Sequence, residues 1–69
     1  MLRLETNARG AWRLIGQAEP DMTDEALNVL RALAILTDQR CRLSINDAAG
    51  QPKVMAYVSV DGMVSEGGQ

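Results

Sequence analysis

Between Met22 and Thr37 the apolar residues recur at helical spacing, and nowhere else in the chain do they. Met22, Ala26, Val29, Leu30, Leu33 and Leu36 share one face, with Leu27 and Ala34 on its flank. Asp24, Asn28, Arg31 and Asp38 fall opposite, and Ile35 is the one apolar residue among them. Pro20 keeps Glu19 out of the helical region. Asp21 or Thr23 can cap the helix, and Asp24 and Glu25 suit the positive end of its dipole. One helix can cover only one face of whatever it packs on, and this limits the rest of the fold.

The flanking segments alternate with a period of two. Leu2 and Leu4 alternate with Arg3 and Glu5, and Asn7-Ala8-Arg9-Gly10 reads as a turn. Trp12 and Leu14 then alternate with Arg13 and Ile15, and a one-residue shift of register here would turn Arg13 inward and Trp12 outward. These two runs form a hairpin. After the helix, Cys41, Leu43 and Ile45 alternate with Arg40, Arg42 and Ser44. A loop follows over residues 46–52. Val54, Ala56, Val58 and Val60 alternate with Lys53, Met55, Tyr57 and Ser59. The expected fold is α+β, a two-layer sandwich of ββαββ order. It has a four-stranded, mainly antiparallel sheet with one helix packed on one face. Residues 1–64 make the single domain, Met63-Val64 adding a little extended chain, and 65–69 a flexible tail. Leu2, Leu4, Trp12, Leu14, Cys41, Leu43, Ile45, Val54, Ala56, Val58 and Val60 are expected inside.

A chain of 69 residues buries only roughly 60% of its unfolded surface. Small domains often gain stability from disulfides, metals or oligomerisation. Cys41 is the single cysteine and histidine is absent, so disulfide and zinc are poor options. Self-association or docking on a partner remains. The lone cysteine and the lack of a signal peptide or a membrane-length apolar run fit a cytoplasmic protein.

The uncovered sheet face is the candidate binding surface. By alternation it carries Arg3, Arg13, Arg40, Arg42 and Lys53, five of the seven basic residues of a chain with net charge −2. Glu5 is the one acid among them. Ile15, Met55 and Tyr57 are set into this basic surface. The same pattern also serves solubility and discourages edge pairing. Arg13, Ile15, Arg42, Lys53, Met55 and Tyr57 are the expected partner-binding residues, and Ile35 marks a secondary contact on the helix. The partner is another protein or a second copy of the chain. Nucleic acid on the same face is the alternative, although Tyr57 is then the only outward ring for base stacking.

No catalytic residues, metal ligands or cofactor are expected. Cys41 lacks a histidine base and points to the core, where it serves as a small buried hydrophobe. Asp21, Asp24 and Glu25 suit a helix start and lack calcium-loop spacing. Gly67-Gly68 neither follows a strand nor opens a helix, so it is no phosphate loop.

Two resemblances bear on function. The ending Gly67-Gly68-Gln69 is similar to that of the bacterial proteasome tag, and Gly-Gly endings with ββαβ order resemble ubiquitin-like modifiers. This resemblance implies attachment to lysines of other proteins. The bacterial tag is largely disordered, whereas this chain reads as folded. In size and style alone, the chain resembles phage- or mobile-element-encoded inhibitors, anti-CRISPR proteins among them. That likeness implies a non-enzymatic protein that acts by occupying a surface.

Overall fold

The computed structural model describes residues 1–67. Strands β1 (Leu2–Ala8) and β2 (Ala11–Ala18) form the N-terminal hairpin. Arg9 and Gly10 both have positive φ, and the Asn7 side-chain oxygen accepts the Gly10 N–H at 3.0 Å. This tight reversal suits the twist of a two-residue hairpin. A short 3-10 turn, Pro20–Met22, leads into helix α1 (Thr23–Thr37). Neither Asp21 nor Thr23 caps it with a side chain. The Thr23 hydroxyl instead donates back to the Pro20 carbonyl at 2.9 Å. The helix stops at Asp38, which is left-handed. Strands β3 (Cys41–Asn46) and β4 (Pro52–Val58) make the second hairpin.

The sheet has five strands rather than four. Val64–Glu66 forms β5, pairing Tyr57 with Ser65 and Ala56 with Glu66. The segment expected as a flexible tail therefore begins inside the sheet. Its turn requires Gly62 at φ 86°, and the Gly67 N–H donates to the Met55 carbonyl at 3.1 Å. Gly68 and Gln69, the rest of the expected tail motif, lie outside the described residues. All neighbouring strands are antiparallel, in the order β2-β1-β3-β4-β5.

The helix packs mainly on β3, and also on β1 and β4. Leu2, Leu4, Cys41, Leu43 and Val58 meet Ala26, Leu30 and Ala34 in the core. Ala26, Leu30 and Ala34 lie along one line of the helix, where two small side chains bring it close to the sheet. The helix is therefore rolled away from the centre of its own apolar face. Met22, Val29 and Leu36 were expected to be covered, yet they stay exposed, Leu36 at 82%.

Two bulges account for the other differences from strict alternation. The β1–β2 register shifts between Leu4 and Glu5. Leu4 pairs with Gly16 and Glu5 with Leu14, so Ile15 is the extra residue. The β3–β4 register shifts between Leu43 and Ser44, and there Met55 is the extra residue. One inserted residue flips every side chain beyond it. Trp12, Leu14 and Val54, expected inside, share the open face with Asn7, Glu5 and Ser44. Arg13 and Lys53, expected outside, share the helix side with Thr6 and Ile45 and extend past its cover into solvent. Val60, also expected inside, is 43% exposed in the β4–β5 loop.

Candidate functional site

The open face is organised around one buried carboxylate. Glu5 stands on β1, an interior strand between β2 and β3, and is only 7% exposed. Its Oε1 accepts hydrogen bonds from Arg42 Nε at 2.8 Å and from the Ser44 hydroxyl at 2.8 Å. Arg3 lies 3.9 Å from the other oxygen. Burial pushes the Glu5 pKa up. The Arg42 and Ser44 hydrogen bonds and the charges of Arg42 and Arg3 outweigh that, so it lies below its usual value. Of the five cations expected on this face, Arg13 and Lys53 lie on the helix side, and Glu5 pairs with Arg42 and Arg3.

The same Arg42 guanidinium lies 4.3 Å from the centroid of the Trp12 ring, a cation–π contact. Trp12 and Tyr57 meet with centroids 6.2 Å apart and planes tilted by 53°. Strand pairing produces this cluster. Leu14, Glu5, Arg42, Tyr57 and Ser65 form one row across all five strands, and Trp12 projects from β2 one row away. Beside the rings lies a shallow depression of about 530 Å³. Trp12, Arg40, Cys41, Tyr57, Val58, Ser59 and Ser65 line it. Arg40 is exposed there, and no described carboxylate lies within ion-pair distance of it.

Of the expected binding residues, the structure brings Arg42 and Tyr57 together on the open face. Arg13 and Lys53 are on the other side, while Ile15 and Met55 occupy the bulges, 44% and 36% exposed. Ile35 is 58% exposed and borders the Gly62 turn. Trp12 is the site residue the alternation assigned to the core. A Trp on an edge hairpin beside Arg and Gly was the available signal, but it could not locate the bulge.

Cys41 is fully buried, its thiol 3.7 Å from the Thr6 hydroxyl. Burial pushes that thiol up in pKa, against a smaller opposing effect of the Thr6 contact. Among the described residues no group of three His, Cys, Asp or Glu could hold a metal ion, and no helix is long and apolar enough to cross a membrane. No family model matches this chain, and no curated protein or solved structure is significantly similar to it.

Proposed function

We propose that this chain is a non-enzymatic binding module that holds another protein through its open sheet face. The Trp12–Arg42–Tyr57 cluster is the observation that carries the reading. Trp, Tyr and Arg are the residues that most often anchor protein interfaces. Here they sit preassembled, with Arg42 held by Glu5, beside a depression with an exposed cation. Preassembly lowers the entropic cost of binding. The partner that fits presents an apolar side chain to the rings and a carboxylate to Arg40. An inhibitor that blocks a partner's surface is one form such a module takes.

Tyr57→Ala with Arg40→Glu is the informative variant. Both residues are exposed, so the fold should persist by circular dichroism while partner retention in affinity capture falls. Arg42→Glu is a worse choice because it would set a second carboxylate against Glu5. Unchanged partner retention would remove this reading.

The outward placement of two rings favours nucleic acid as a second reading, since bases stack on such platforms. Arg42 already lies over the Trp12 ring, and the two rings contact each other. Less ring surface is then left for bases, so protein is preferred. Retardation of a single-stranded oligonucleotide, weakening steeply with salt, would reverse that preference.

A further inference from the structure

We infer that a second copy of this chain packs, antiparallel and two-fold, against the exposed α1 flank that carries Val29 and Leu36, away from Arg31 and the β4–β5 turn. This inference does not depend on the open-face reading. Its first basis is the stripe Met22, Val29 and Leu36, which are 41%, 55% and 82% exposed. Val29 and Leu36 are spaced seven residues apart, so they line one edge of the helix, and Met22 ends the 3-10 turn just before the helix starts. Leu33 lies beside them and is only partly covered by the core.

The stripe has large apolar residues at both ends and is centred on Val29. A two-fold axis near Val29 sets Met22 of each copy against Leu36 of the other. Isologous dimers need that self-complementarity. The neighbouring helix-side surface of β2 is low, with Ala11, Gly16 and Ala18 beside Arg13, so a second copy can approach the flank.

Charge selects the antiparallel direction. Ala18 leads through Glu19 and Asp21 into the start of α1, where Glu25 borders the stripe. Arg13 pairs with Thr6, whose hydroxyl contacts Gln39 and Arg40 just beyond the end of α1. Arg9, in the hairpin turn, lies still further that way. One end thus carries Glu19, Asp21 and Glu25 and the other Arg9 and Arg13, with Asp38 at the helix C-cap as an acid at that second end, and all of these side chains are exposed. Antiparallel copies place Arg9 and Arg13 against Glu19, Asp21 and Glu25 at both ends. Parallel copies would oppose like charges.

The size of the core agrees with this arrangement. Among the described residues twelve large apolar side chains are exposed, whereas Leu2, Leu4, Leu30, Leu43 and Val58 are the large ones buried.

Sedimentation equilibrium over a dilution series tests the inference. Wild type should dimerise, and Val29→Glu with Leu36→Glu should raise the dissociation constant by about a hundredfold or more with an unchanged circular dichroism spectrum. Charge exchange tests the orientation. Arg9→Asp with Arg13→Glu makes both ends acidic, and Glu19→Lys with Glu25→Lys makes both basic. Each variant alone should be monomeric, and an equimolar mixture should restore a dimer. Three results would overturn the inference: a wild-type monomer at every concentration, a dimer that survives Val29→Glu with Leu36→Glu, or variants that do not recombine on mixing.

Discussion

Glu5 is the residue on which the open face depends. A buried carboxylate without partners costs several kcal/mol, and here Arg42, Ser44 and Arg3 supply them. Replacement by Gln keeps the shape and removes the charge. It should destabilise the fold by about 1–3 kcal/mol, measured by urea unfolding. It should also loosen Arg42 over Trp12, seen as a change in Trp12 fluorescence. The pH dependence has a definite sign. The folded pKa of Glu5 is depressed, so the native state holds the proton less tightly than the unfolded chain. Its contribution to stability is full above the ordinary carboxylate range and disappears as pH falls through the depressed value. Glu5→Gln should therefore flatten the acid limb of the stability profile, and an unchanged limb would refute the assignment. Cys41 contrasts with Glu5: its partner is a weak one and its role is to fill space.

At the scale of elements, the β4–β5 turn is locked onto the helix. Arg31 Nε donates to the Gly62 carbonyl at 3.1 Å. A Cβ on Gly62 would come within 2.9 Å of the Ile35 side chain, at a φ of 86° that other residues resist. Gly62→Ala should cost about 1–2 kcal/mol. Adding Ile35→Ala should return the part due to collision and not the part due to backbone strain. A double-mutant cycle separates the two. This packing also explains Ile35 among polar helix positions, which sequence spacing alone could not do. The helix and the first four strands were legible because periodicity and turn residues are local signals. The phase within β2 and β4 was not legible. A bulge leaves both halves of a strand alternating normally, so simple alternation places Trp12 and Val54 in the core and Arg13 and Lys53 on the surface. β5 is not legible because a three-residue strand among Ser, Glu and Gly has no alternation to detect. Arg42 and Tyr57 are legible because they lie on the unshifted sides of the bulges.

For the whole molecule, stability should depend on concentration. If two copies share the α1 flank, the melting temperature should rise with protein concentration, and Val29→Glu with Leu36→Glu should abolish that rise. A calorimetric series over a wide dilution range measures it. The pairing of β1 with β3 has a separate consequence for how fast the chain folds. Each hairpin closes locally, but the seam between them joins Leu2 to Ile45 and Thr6 to Cys41, partners 43 and 35 positions apart. Loop-closure entropy must be overcome before that seam yields any energy. The seam is thus the natural rate-limiting event. In stopped-flow experiments Leu43→Ala should mainly slow refolding, whereas Val64→Ala, in the last and most local pairing, should mainly speed unfolding.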